Sequence, residues 1–427
     1  MKHPRRLVAG LVTLAIAGAV AVVGVRLQQG AAAPGAEAVA VKAPPATPTA
    51  DVAGRKVAIN KLLSTRAEAV RKGDLKAFTA AVDVKVLPRQ RTLFANLRQF
   101  QFTKLEYSLA NEHQVPRLVE KWGPTAFSSR VIMRYQLAGL DARPVQTDVA
   151  YTFAQRGTRW ILVEDSAIDE VLSETGHRQP WDFQPITVVR RGKVAVVVAQ
   201  REAALGQTIA ATAQQAARGV KRHWPQPWDG SVMVIAMPES QVMSLLWTSG
   251  SGSGWTIAAK DIPLYDSDPF LRTRSAPPAG SRIVVNPELR RKLDKDLLAH
   301  EMTHAATVLL GNYAPMWMVE GYAEYIRCAV IEDDPGWTVD PYRKKVRKTL
   351  ASMKALPGPS EFGANGDRSY GQAWWVIEYL IGRFGEAKIA ALYADLAGHQ
   401  TGADAILKKH LKMTPAQLIA AVKQFRG

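Results

Sequence analysis

His300-Glu301-Met302-Thr303-His304 is followed, sixteen positions past its second histidine, by Glu320 within Pro315-Met316-Trp317-Met318-Val319-Glu320-Gly321-Tyr322-Ala323-Glu324-Tyr325. Four residues along a helix make a turn of about 400°, so the two imidazoles leave on nearly one face. Two ligands of one tetrahedral zinc ion need that placement. Glu301 lies beside them, able to reach a water at the metal without binding the metal. Upstream, Asn286-Pro287-Glu288 predicts the start of this helix, with a capping side chain, a proline that needs no donor and an acid near the positive end. Leu289, Leu293, Leu297 and Leu298 would face the core, and Gly311-Asn312 would supply a left-handed stop.

Pro315 opens a second helix, and the interval from His304 allows one turn and an antiparallel return. Glu320 and Glu324 then share a face one turn apart. A solvated acidic face is the competing reading, and Trp317, Tyr322 and Tyr325 argue against it. Glu320 is therefore expected as the third metal ligand. Glu324 is expected to accept a hydrogen bond from a ligand imidazole and fix its tautomer. Cys328, one turn further on, reads as a structural thiol, because three ligands are already present and a catalytic zinc keeps one position open.

These two segments resemble the gluzincin metallopeptidases, specifically the peptidase MA-like group of exported bacterial proteins, over roughly residues 190–427. The resemblance implies zinc held by His300, His304 and Glu320, with Glu324 supporting a ligand. It implies an edge strand beside the metal helix that holds a peptide substrate, for which residues 255–260 and 282–285 are candidates. Thr307 and Leu310 stand where a metzincin would have Gly and His, which excludes that clan. A G-x-M-E-N segment is absent, so aminopeptidase specificity has no support. For the chemistry, Glu301 is the expected general base, later returning the proton to the leaving amine. Tyr370, in Ser369-Tyr370-Gly371-Gln372 ahead of Trp374, Trp375 and Tyr379, is the candidate donor to the oxyanion, against simple packing as the alternative. His399 and His410 are isolated and read as surface residues.

At the other end of the chain, Lys2, Arg5 and Arg6 precede an uncharged run over 7–25. That is the pattern of an export signal, and the run is also long enough to span a bilayer. Residues 1–29 are thus a cleaved signal peptide or a membrane anchor. Either outcome puts the bulk of the chain outside the cytoplasm, tethered or secreted. Residues 30–54, rich in Ala and Pro, read as a disordered linker.

Residues 55–180 read as helices followed by antiparallel strands: a helix over 57–72, a second from Leu75, and strands over 130–137, 145–154 and 158–164 with a turn at Arg156-Gly157. By its order of elements this segment resembles an NTF2-like α+β cone, expected to bind or to pack. Residues 181–427 form the metallopeptidase domain. They open with a strand over 194–199, an Ala-rich helix over 205–220 and short strands over 232–236, 255–259 and 282–285, and turn helical beyond Pro287. The Gly/Ser loop 249–254 lacks the Gly-x-x-x-x-Gly-Lys pattern of a phosphate cradle and reads as a turn. The expected fold class is α+β, an NTF2-like domain followed by a small mixed sheet with a mainly helical C-terminal part.

Composition narrows the remaining choices. Of 427 residues, 47% are hydrophobic and 22% charged, enough for a sizeable core, and one residue, Cys328, is a cysteine. A disulfide framework and a cysteine zinc site are both excluded. The formal net charge of +17 is spread along the chain without a dense basic tract. Specific nucleic-acid binding therefore has no support, while an anionic cell-envelope polymer stays open as a partner. The expected function is zinc-dependent hydrolysis of a peptide or protein substrate outside the cytoplasmic membrane. The alternative is a non-catalytic envelope-binding protein that uses the NTF2-like domain, with the zinc fold as scaffold.

Overall fold

The structure, a computed structural model, describes residues 52–165, 179–182, 184–239, 259–267, 273–364, 366–400 and 402–427. The apolar run 7–25, the Ala/Pro-rich stretch up to residue 51, the loop 249–254 and residues 255–258 of the expected substrate strand lie outside these. No helix among the described residues is long and apolar enough to cross a membrane. The chain is a mixed α+β protein built on two sheets.

The first sheet is an antiparallel meander of β1 (Phe102–His113), β2 (Phe127–Leu137), β3 (Val145–Arg156) and β4 (Arg159–Glu164), in that order. Strand β2 alternates strictly, so Val131, Met133, Tyr135 and Leu137 reach one core. They meet Ile59, Leu63, Ala67 and Val70 of α1 (Val52–Lys72), which recur at helical spacing. Helix α1 starts within the stretch expected as linker. The short α2 (Leu75–Thr79), capped by Asp74 onto the Ala77 N–H at 2.9 Å, and α3 (Leu87–Leu97) complete the layer, and α4 (Pro116–Trp122) links β1 to β2. The expected hairpin is present, with Gly157 at φ +59° in a two-residue turn between the paired Arg156 and Arg159. Strand β1 went unanticipated. Its inward residues Leu105, Tyr107 and Leu109 alternate with Lys104, Glu106 and Ser108, a pattern diluted by the charged ends.

The second sheet has the order β5-β6-β7-β9-β8, from β5 (Ile186–Arg191), β6 (Val194–Ala199), β7 (Val232–Ile235), β8 (Ala259–Tyr265) and β9 (Pro278–Val285). Strands β6, β7 and β9 are parallel, and β5 and β8 are antiparallel edges. Parallel neighbours need a crossover, and α5 (Ala203–His223) supplies it between β6 and β7. Both faces are covered. Val196, Val198, Val234 and Ile283 join the helical core. Val197, Met233, Ile235 and Val284 share a cluster with Tyr135 and Trp181 of the first layer. At this seam the buried Arg282 on β9 grips Asp141, following β2, at 2.7 and 3.1 Å.

The helix that carries the two histidines does not begin at Asn286. The Asn286 side chain accepts the Glu288 N–H at 2.9 Å and closes a tight turn instead. Leu293 is extended, and α6 (Lys295–Thr307) starts behind Asp294, whose carboxylate accepts the Leu297 N–H at 2.9 Å. The later cap wins because Asn286 has already spent its side chain locally; Leu289 and Leu293 fall outside the helix. Gly311, at φ +129°, lies against the Ala397 carbonyl, which a side chain would strike.

Helix α7 (Met316–Glu332) returns antiparallel, as the spacing predicts, with Pro315 at its cap. The remaining helices are α8 (Asp340–Arg347), α9 (Pro359–Ala364), α10 (Gly366–Phe384), α11 (Glu386–Gly398), α12 (Ala403–Leu411) and α13 (Pro415–Gln424). Helix α10 crosses α7 at Gly321, where an added Cβ would stand 2.6 Å from the Ala373 carbonyl oxygen. Gly321→Ala should therefore push two packed helices apart and destabilise the protein by about 1–3 kcal/mol. Chemical denaturation of wild type and variant measures this, and equal stability would show that the crossing has slack.

Candidate metal centre

His300 and His304 lie one turn apart on α6, and Glu320 comes to meet them from the second turn of α7. One ligand atom from each falls in a common cluster within 4.8 Å. The His300 and His304 Nε2 atoms are 3.2 Å apart. Glu320 Oε2 is 3.3 Å from the first and 3.5 Å from the second. Zinc with ligands at 2.0–2.1 Å sets a tetrahedral edge of about 3.3–3.4 Å between donor atoms. The three atoms therefore have the spacing of one face of such a tetrahedron. Glu320 Oε2 is buried and makes no hydrogen bond.

The electrostatics lead to the same demand for a cation. Burial alone would raise the Glu320 carboxyl, but the facing His304 and His300 rings hold it far below the ordinary carboxylate range. Burial alone would lower His300, yet Glu320 and Glu324 push it up to about 10. Two imidazoles and a carboxylate, all oxygen and nitrogen donors, are a set that zinc accepts.

Glu301, beside the two histidines on α6, reaches toward β8. Its Oε2 accepts the backbone N–H of Asp261 on β8 at 2.8 Å, while its buried Oε1 has no partner. Burial raises its pKa, opposed by the charges of His300 and His304. One oxygen is thus fixed and the other left available. Asp261 is itself 7% exposed, with Oδ1 unpartnered, and burial pushes its carboxyl up to about 7.

Glu324 stands behind His300, its Oε1 3.0 Å from Nδ1, a contact short of the hydrogen bond expected there. Sequence reasoning missed the group that holds Glu324. Arg327, 6% exposed, donates from Nη1 to the same Oε1 at 3.2 Å and from Nε to Asp296 on α6 at 3.2 Å. Despite burial, which raises carboxyls, Arg327 and His300 bring Glu324 down to about 2. The signal was present, since Arg327 follows Glu324 at the (i, i+3) spacing of facing helical neighbours. Asp261 had none, because no motif marks a single acid in an edge strand.

Tyr370 on α10 is buried, its ring centroid 6.0 Å from that of His300 and 4.9 Å from that of Phe362. Burial, and then the nearby Glu320, Glu301 and Glu324 carboxylates, raise its pKa well above the ordinary value. Cys328 is buried and outside the cluster. His399 and His410 lie elsewhere, with His410 Nε2 2.7 Å from Asp395.

Fold and site together define a mixed α+β chain with a buried His/His/Glu cluster at the contact of two antiparallel helices. No family model matches the sequence, and none of the curated proteins matches it. Among solved structures, the chain is similar to yeast LTA4 hydrolase in complex with bestatin, at 11% identity and a TM-score of 0.35. That match covers 76% of this chain and 58% of the other, less than two thirds of its length. So loose a likeness carries neither a fold assignment nor an activity across.

Truncating Arg327 would leave the Glu324 carboxylate buried without its cation. Arg327→Met should cost about 3–5 kcal/mol of stability in urea unfolding, with part recovered in the Arg327→Met/Glu324→Gln double variant. Additive losses in the double variant would show that the two side chains do not act on each other.

Proposed function

We propose that this chain is a zinc-dependent peptidase that works outside the cytoplasmic membrane. One observation carries the reading: three donor atoms on buried and half-buried side chains, spaced as the face of a zinc tetrahedron, next to a buried glutamate with one free oxygen. His300, His304 and Glu320 would hold the metal. A bound zinc ion supplies Lewis acidity, polarising a scissile carbonyl and lowering the pKa of water toward about 7.

The chain's own residues supply the rest. Glu301 Oε1 takes a proton from the attacking water and returns it to the leaving amine. Its Oε2 cannot rotate away, because the Asp261 N–H holds it. Glu324, anchored by Arg327, fixes the orientation of His300 so that Nε2 faces Glu320. Tyr370 reaches the cluster from α10, placed to give a hydroxyl hydrogen bond to charge developing on a substrate oxygen. The location rests on Lys2, Arg5 and Arg6 ahead of the apolar run 7–25, as a cleaved signal or an anchor. An anionic envelope polymer suits the basic chain as a further partner.

Metal analysis of the full-length protein should find one zinc per chain, removed by chelator and lost in His300→Ala and Glu320→Ala. Glu301→Gln should keep the zinc while chelator-sensitive peptide hydrolysis drops by about 10²–10⁴-fold. Wild type carrying full zinc yet cleaving nothing in a broad peptide library would sink the enzyme reading and favour the zinc fold as scaffold.

A further inference from the structure

Strand β8 is the edge of the second sheet, and among the described residues nothing pairs with its outer side. It is the strand against which Glu301 rests. In an antiparallel strand each residue turns its N–H and C=O to the same side, and the side alternates. Asp261 sits opposite Ile283 on β9, yet it gives its N–H to Glu301 rather than to the ladder. Residues 259, 261 and 263 therefore turn outward and 260 and 262 bond to β9, up to the register shift between Leu264 and Tyr265.

Two consecutive outward positions are special. The Asp261 N–H is already engaged by Glu301. The next outward residue is Pro263, opposite Ser281, which has no N–H to give. From Glu301 toward the C-terminal end of β8, the edge thus presents carbonyl acceptors and no donor over about 7 Å, the span of two residues. A peptide added to this edge as an extra strand would donate its own N–H groups, but its carbonyls there would find nothing. In the other direction Ala259 turns an N–H outward.

We propose that β8 reads a substrate by accepting hydrogen bonds only on the Pro263 side, so that main-chain recognition of the peptide is one-sided about the scissile bond. This rests on the zinc-peptidase reading and names the class of substrate it would take: a peptide whose chain is short, or ends, on that side. A proline at this position also has a plainer role, keeping the edges of two copies from pairing.

The experiment uses full-length protein and the best-cleaved peptide of a library, lengthened residue by residue at either end. In wild type, kcat/KM should rise with length at one end and stay flat at the other. Pro263→Ala restores an outward donor without touching a ladder bond. At the formerly flat end, its ratio of kcat/KM for long over short peptide should exceed the wild-type ratio by about 3–10-fold, the weight of one net hydrogen bond. Wild-type gains at both ends would overturn the proposal. So would a Pro263→Ala profile parallel to wild type, above all if that variant only self-associates. No chelator-sensitive cleavage of any peptide would instead remove the peptidase reading beneath it.

Discussion

Two helices bring three metal-ligating atoms to one point, and much of the surrounding structure serves that contact. Bringing His300, His304 and Glu320 within 3.2–3.5 Å of one another in a buried place is unfavourable unless a positive charge sits among them. The scaffold absorbs this by rigidity. Helix α6 is capped by Asp294, α7 is pressed against α10 at a glycine, and Arg327 bridges α7 to α6 through Glu324 and Asp296. Each of these fixes the distance between α6 and α7 without touching the three donor atoms.

The second sheet fixes the other coordinate. Glu301 reaches from α6 to β8, and its rotamer is set by one backbone N–H of that strand. The position of β8 follows from β9, whose Arg282 is locked to Asp141 in the first layer. A buried ion pair with two aligned contacts holds register well, whatever its net contribution to stability. The N-terminal layer is thus mechanically continuous with the strand that aims Glu301. That continuity gives residues 52–165 a packing role alongside any partner they bind.

How much of this was legible depended on the kind of signal. His300, His304 and Glu320 could be read because helical periodicity turns sequence spacing into direction, and two helices joined by a short turn have few ways to pack. The strands β2, β3, β4 and β6 followed from alternation and apolar runs. The start of α6 was misread because Asn286 and Asp294 are both good caps, and only tertiary contacts decide between them. Strand β1 was missed because Lys104, Glu106, Glu112 and His113 lower its contrast. Asp261 and Pro263 were invisible as functional residues, since their meaning comes from which side of a sheet edge they face.

Glu301 and Asp261 show why that last class of residue matters. A general base needs one oxygen free and its carboxylate held still, and a side-chain partner would do the holding by adding another polar group to a crowded pocket. A backbone N–H does it with no added side chain. The strand that gives up that N–H cannot also offer it to a peptide, so fixing the base and pairing a substrate compete for the same donor. Pro263 removes the next donor along, which turns a single concession into a run of two. The geometry that orients the chemistry is therefore the geometry that narrows what can lie beside it.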